Sequence, residues 1–523
     1  MTKTLNSTLC VTLLMLVAST LAWGQEQIQS PEKSKSLSSG LLDVAYVDLT
    51  NGFTVRPPAG SMIVPTDATD PPTLPLLAEW DQLKHPESKE LIGFRQPLSG
   101  QHLTITLMVT RKKMTVEKMT EARGEYWQQF DIRATILDVS DDTLCDHPAV
   151  VSSIEWQALP EEPNRVLRET IIQLSKKRYF AILHSIAADS MIAPPFSLVA
   201  DRVASNFQCL SKADIDQRWC QAKKNGETLL ASLESRKIKE HLIPLHWYRI
   251  LYKGEDAGFH LVEERVQLLP EKQHAFVVRT TGYLDNPKAI LPYFEMHGWR
   301  VKPTKLASDD TAFTRPIQWV SEFSLDGKLH AEQFDVQLTD LTHPDNNLCE
   351  RGQWRDSTIR VTDCRENSED DMNGAPLEIA LSANNQKNYL SLVNTRLVHR
   401  FIENKIGDEY IFVRYINRNI GYFPLRVNAE IDLKVEDRSA DVPGSPDSPD
   451  KSATKSITAY YTIAQLSSKG PIVEYWTNEK GALLRQKSGY IELQQSHHQE
   501  IRERWPKQIE AMKLTDKKPK PKE

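Results

Sequence analysis

The sequence predicts an α+β fold in two units, an antiparallel sheet with two packed helices followed by a larger antiparallel sheet. Three observations lead there. Thirty prolines and twenty-one glycines, with many Val, Ile, Thr and Tyr residues, favour strands joined by turns over a helical bundle. Two amphipathic stripes at helical spacing interrupt the strand-like runs of the first half of the chain. At about 100 to 200 residues per domain, 523 residues make two or three domains, each large enough to bury a core.

The N-terminus reads as an export signal. Lys3 is the only charge before the apolar run Leu9 to Ala22, and Ala22 and Gly24 are small residues at the positions a signal peptidase reads. A bilayer-spanning helix needs about 20 apolar residues, so cleavage after Gly24 is expected, and an uncleaved anchor is the alternative. No cysteine stands at the cleavage point for lipid attachment, and no later stretch is long and apolar enough to span. Residues 25–40, rich in Gln, Ser, Lys and Glu, read as a disordered leader.

The first unit, 41–210, opens with Gly52-Phe53-Thr54-Val55-Arg56-Pro57, a strand running into a turn. Strands are expected at Leu91 to Arg95 and His102 to Thr110. Thr115 then caps a helix from Val116 to Phe130, with Glu117 in its first turn. Strands follow at Arg133 to Val139, Ala149 to Leu159, Arg165 to Ser175 and Lys177 to Ala187, the first two separated by an Asp141-Asp142 break. A second helix, Pro194 to Cys209, spaces Phe196, Val199, Val203 and Phe207 for burial. This order, with Arg178-Tyr179-Phe180-Ala181-Ile182-Leu183 leading to Phe196 to Phe207, resembles the PsbP-like, DcrB-like and Mog-type α/β sandwich family. The resemblance implies an exported or accessory protein that docks partners, and it carries over no catalytic residue.

Residues 211–241 read as a helical connector, capped through Ser211 and Asp214 and interrupted at Asn225-Gly226. The second unit, 242–510, opens as a hairpin from Trp247, its strands joined through Lys253 to Ala257. The hairpin signature Trp319 to Leu329 has an echo at Glu474 to Leu484, a weak twofold repeat of sheet modules. These hairpins resemble the large curved antiparallel sheets of LolA-like envelope proteins. The Asp, Ser and Pro rich segment 437–455 reads as a disordered loop within this unit, and 511–523 as a disordered basic tail.

Five cysteines follow the leader. Cys349 and Cys364 flank an expected hairpin and form the first candidate disulfide; Cys209 and Cys220, between two predicted helices, form the second; Cys145 is left over. The formal net charge of −6 argues against nucleic acid as a partner. Gly-x-Ser-x-Gly, His-Glu-x-x-His, Walker and dinucleotide signatures are absent, so no reaction is indicated. Cys145-Asp146-His147 and the pair His241/His246 come nearest to metal ligands but lack a partner pair at ligand spacing, and Asp371-x-Asn373-Gly374 is only a fragment of a calcium loop. No metal and no cofactor are expected.

What is left is surface. Trp247, Tyr248, Tyr252, Phe259, Tyr283, Trp299 and Trp319 would line one or both faces of the second sheet, either as core or as a candidate apolar face for an acyl chain or extended peptide. The leading expectation is an exported, periplasmic or secreted, non-catalytic binding or accessory protein of the bacterial envelope, its partner an envelope protein or a lipid-like ligand. The alternatives are an envelope scaffold and a hydrolase with an unrecognised site. Export predicts that the protein recovered outside the cytoplasm of a bacterial host begins at Gln25 on N-terminal sequencing; a product still carrying Met1 would favour the anchor.

Overall fold

The computed structural model of the chain describes residues 41–512 apart from 43–44, 65–86, 97–98, 111–112, 129–133, 158–163, 189–194, 269–273, 298–315, 327–330, 341–347, 356, 364–376, 391–393, 417–418, 438–452 and 466–471. The export signal, the leader, most of the 437–455 segment and nearly all of the basic tail fall outside these residues. The described strands form three sheets, and every neighbouring pair is antiparallel. Among the described residues no helix is long and apolar enough to cross a membrane.

β1 (Tyr46–Asp48) and β2 (Phe53–Val55) belong to a small three-stranded sheet. β3 (Met62–Val64), β4 (Glu87–Gln96), β5 (Gln101–Val109), β6 (Ala134–Leu144), β7 (His147–Trp156), β8 (Arg165–Ser175) and β9 (Arg178–Ala187) form the second, in the order β3-β4-β5-β9-β8-β7-β6. Strand β9 is central and buried on both faces, which is why its sequence is an almost unbroken apolar run. Alternation sends Phe180 and Ile182 towards helix α2 (Phe196–Ser205), while Tyr179, Ala181 and Leu183 share a core with Met119 of helix α1 (Val116–Gln128). The two predicted helices therefore cover opposite faces.

Two local expectations are corrected. Asp141-Asp142 does not break the chain: β6 is an edge strand exposed along most of its length, so both carboxylates stay in water and the strand runs on to Leu144. The reversal falls on Cys145 and Asp146, at φ 55° and 60°, the two-residue hairpin geometry that needs positive φ at both positions. The helical connector breaks at Ser232 to Glu234 instead of at Asn225-Gly226. Helix α3 (Lys212–Ala231) continues through that pair because Gly226 lets it approach the large sheet: a Cβ there would lie 2.5 Å from the Ile411 carbonyl oxygen, while Asn225 Nδ2 donates to the Glu409 carbonyl at 2.9 Å. Its N-terminus is closed by reciprocal hydrogen bonds, Asp214 N to Ser211 Oγ at 3.2 Å and Ser211 N to Asp214 Oδ2 at 3.1 Å. Helix α4 (Ser235–His241) follows.

β10 (Gln208–Cys209) completes the small sheet. The third sheet has 14 strands. They are β11 (Leu245–Tyr252), β12 (Glu255–Leu268), β13 (His274–Leu284), β14 (Ile317–Leu325), β15 (Ala331–Asp340), β16 (Leu348–Arg355), β17 (Thr358–Asp363), β18 (Leu377–Ala380), β19 (Glu409–Ile416), β20 (Asn419–Asp437), β21 (Ala453–Gln465), β22 (Ile472–Thr477), β23 (Leu483–Ser488) and β24 (Ile491–Ser496). The order runs from β18 down to β11, then through β24 to β19, so chain start and chain end of this unit meet at β11 and β24. One continuous core draws on strands from both ends, which requires the sheet to curve around it. The segment after β18 helps close the far edge: Leu390 N donates to the Val413 carbonyl at 2.7 Å and Val413 N to the Asn388 carbonyl at 2.8 Å. The opening hairpin turns through Lys253-Gly254 alone, and a bulge beyond it brings Gly258 against the backbone of Tyr283.

Helix α5 (Pro287–Met296), helix α7 (Asn394–Leu397) and the 3₁₀ turn Val398–Arg400 join this core, the short helix α6 (Ala383–Gln386) stays outside it, and helices α8 (His498–Arg504) and α9 (Pro506–Ala511) cover the other face near β11. The first unit docks onto the large sheet, Ile463 and Ile472 packing against its α2-side core and the Glu474 carboxyl accepting from the Ile63 amide. Cys209 and Cys220 are both free thiols, Cys220 exposed on α3, so this expected bridge is not formed. Cys364 lies outside the described residues.

Gly282 sets how closely Trp319 lies on the sheet, because a Cβ there would fall within the indole ring. Gly282→Ala should lower stability by about 1–3 kcal/mol as overpacking, read as a drop in the urea midpoint; an unchanged midpoint would show that the ring moves aside freely.

Candidate functional site

Strand alternation sorts the described members of the aromatic set onto two faces. Trp247, Phe259 and Tyr283 pack beneath Ile501, Trp505 and Ile509 of the C-terminal helices. Trp319 lies on the opposite face, against Tyr293, Phe294 and His260. Tyr248 joins that core, Tyr252 packs half-buried against it beside Tyr490, and Trp299 lies outside the described residues. The described members thus form no single open apolar face.

The Trp319 face instead carries a buried polar cluster. On β12 the residues in phase with apolar Val262 are His260 and Glu264, both almost wholly buried. Arg400, at the end of the 3₁₀ turn, meets Glu264 in a fork, Nη1 to Oε2 at 2.6 Å and Nη2 to Oε1 at 2.7 Å. The carboxylate also accepts from the Ile243 amide at 2.8 Å and lies 3.5 Å from His246 Nε2. Burial alone would raise the Glu264 pKa; hydrogen bonds from His246 and Arg400 and the Arg400 charge outweigh it and bring the value down to about 2.

One turn earlier, Arg396 has only neutral hydrogen-bond partners among the described residues. Its Nη1 donates to His260 Nε2 at 2.7 Å and its Nη2 to His297 Nε2 at 3.2 Å, while His260 Nδ1 hydrogen-bonds the Tyr293 hydroxyl. Since guanidinium groups only donate, both imidazoles accept at Nε2 and are neutral. Burial first, and then the charge of Arg396, hold both well below the ordinary histidine range. Arg414, in the apolar run of β19, is 1% exposed, the largest fully buried side chain. Among the described residues it has no ion pair, and its Nε has no hydrogen-bond partner. The guanidinium lies 5.0 Å from the centre of the Phe423 ring and within electrostatic range of His297, Tyr389 and Tyr475. Burial lowers its pKa to about 10, so it stays charged at neutral pH.

Among the described residues the inner face carries Arg396, Arg400 and Arg414 together with two buried carboxylates, Glu264, committed to Arg400, and Glu350 on β16 opposite Val336. His297 feels both of the other cations. Arg396 and His297 are only half-buried, which places the less enclosed side of the cluster there. Among the described residues no three His, Cys, Asp or Glu side chains converge as a metal site; His241 Nδ1 binds the Lys237 carbonyl at 2.8 Å while His246 faces Glu264.

An opening lies where the two units meet, lined by Tyr46, Trp219, Tyr410, Arg426, Ile463 and Ile472. Its roughly 80 Å³ holds two or three waters at about 30 Å³ each, well below the 300 Å³ or more of a small-molecule pocket.

None of the cluster's arginines or histidines except His246 stood out in the sequence. The available signal was Arg414 within Tyr410-Ile-Phe-Val-Arg-Tyr-Ile, a charge inside a strand otherwise wholly apolar.

No protein-family model and no curated protein matches the sequence. Among solved structures, the cyanobacterial PsbP protein (CyanoP) of Synechocystis is similar at 14% identity, over 35% of this chain and 98% of that one, with a TM-score of 0.24. A β-barrel-like protein of the DUF1849 domain from Brucella abortus is similar at 6% identity, over 48% of this chain and 94% of that one, with a TM-score of 0.29. At such TM-scores the likeness extends to neither site nor function.

The Glu264 pKa lies below its unfolded value of about 4.3, so its stabilisation is complete above that pH and is lost as pH falls towards 2. Urea unfolding of the native chain should lose up to about 3 kcal/mol across that window from this group, and Glu264→Gln should flatten the fall; equal slopes would contradict the assignment. At neutral pH, Arg400→Met should cost about 3–5 kcal/mol by leaving Glu264 buried and unpaired.

Proposed function

We propose that the chain is an exported, non-catalytic binding protein of the bacterial envelope that holds an anionic group, a carboxylate or phosphate, inside its second sheet, a curved module of the LolA-like kind. The observation that carries this reading is Arg414, a charged guanidinium almost wholly excluded from water with no ion-pair partner among the described residues. A buried charge is costly unless paired, and an anion between Arg396 and Arg414 would supply the missing partner. Tyr293, Trp319 and Tyr475 around it suit the apolar body of an amphiphile. The first unit, with the PsbP-like order of strands and helices, serves as the docking module.

Binding suits the cluster better than proton transfer. Glu264 sits at about 2, Tyr248 is pushed up to about 12 by burial, and His260 and His297 are held well below their ordinary value. A general acid or base works best with a pKa near the operating pH.

Titration of the full chain with inorganic phosphate, with decanoate and with decanol separates these claims. One or both anions should raise the melting temperature in a saturable, salt-sensitive way, and the neutral alcohol should not. Arg414→Met and Arg396→Gln should each weaken that response about 10- to 100-fold, the equivalent of one charge-assisted hydrogen bond. No response to either anion, or a response unchanged in both variants, would overturn the proposal.

A further inference from the structure

We propose that Cys145 and Cys209 are a disulfide-forming pair that staples the tip of the β6–β7 hairpin to strand β10. The two residues stand 64 positions apart in the chain, yet the Cys209 amide donates to Cys145 Sγ at 3.0 Å. The same sulfur lies 3.2 Å from the Phe207 carbonyl. It thus rests on the backbone of β10, within a side-chain rotation of where the second sulfur swings.

The two-residue turn carries Cys145 at its first position. Cys145 takes φ 55°, a left-handed conformation unusual for a residue other than Gly, Asn or Asp. Leu144 and Cys145 pack on the same core as Phe53, Phe207 and Cys209. Cys220 is no competitor. It lies on α3 with its thiol exposed, while the Cys145 sulfur is engaged by the Cys209 amide.

The chemistry is thiol–disulfide exchange with an incoming disulfide, protein-borne or glutathione. Hydrogen bonds from the Cys209 side chain and amide lower the Cys145 pKa to about 7, so a large fraction is thiolate at neutral pH. The Cys145 thiolate attacks one sulfur of the incoming disulfide and expels the other as a thiolate. Cys209 then loses its proton and attacks Cys145 Sγ, releasing the second thiolate. Two cysteine thiols are oxidised to one disulfide, the incoming disulfide is reduced to two thiols, and the protons end on those leaving thiols. Such a bond forms and persists in the oxidising surroundings of an exported protein.

The test exposes the reduced full chain to oxidised glutathione, alkylates the remaining thiols and maps the peptides by mass. A peptide joining Cys145 to Cys209, lighter by two hydrogen atoms and accompanied by alkylated Cys220, is expected. Cys145→Ser should abolish it and leave Cys209 alkylated or carrying glutathione, while Cys220→Ser should leave it unchanged. Full alkylation of both Cys145 and Cys209 in the native chain, or linkage of either to Cys220, Cys349 or Cys364, would overturn the pairing.

Discussion

The interior of the large sheet is organised by one contact, the fork between Arg400 and Glu264. Each group alone would be expensive to bury, several kcal/mol even after relaxation. The pair is tolerated because Glu264 receives two guanidinium donors and the Ile243 amide, with His246 close by, while Arg400 also donates to the His241 carbonyl at 2.8 Å. The fork holds the turn after α7 against β12, and that turn sets Arg396 between His260 and His297. With Glu264 consumed by Arg400, Arg414 is left without an ion pair among the described residues.

The fold makes this arrangement reachable. A sheet of 14 strands curved around one core gives its inner face residues from distant parts of the chain. Period-two alternation lifts His260 and Glu264 into that face beside apolar neighbours. Glycine does the rest at the tightest points: Gly282 makes room for Trp319 and Gly352 for the Phe334 ring. On the outer side Glu474 is also buried, and there burial raises its pKa, while Lys487, the Tyr461 hydroxyl, Arg485 and the Ile63 amide act against that rise. The same chemistry thus serves docking on one face and charge storage on the other.

Much of the architecture was legible because it is local. Helix α1, strands β8 and β9 and the Ser211 cap follow from periodicity and turn chemistry within a few residues. The errors came where tertiary packing decides. Asn225-Gly226 reads as a helix breaker until Ile411 is seen lying against it, and Asp141-Asp142 reads as a turn until its strand is known to be an edge. The described members of the aromatic set expected along the second sheet lie on strands, and their division between two faces depends on register and on the C-terminal helices that cover one of them. The cluster was the least legible, since Glu264 and Arg400 are 136 positions apart and no spacing rule connects them.

If Arg414 is kept for a ligand, it is a cost to the empty protein. Denaturant unfolding of Arg414→Met without any anion present tests this most directly. The account predicts a variant at least as stable as the native chain, by up to about 4 kcal/mol, because a buried charge with no ion pair among the described residues is replaced by an apolar side chain of similar length. A loss of several kcal/mol would show that Phe423 and the surrounding phenols already satisfy the guanidinium, and would contradict a site waiting for an anion.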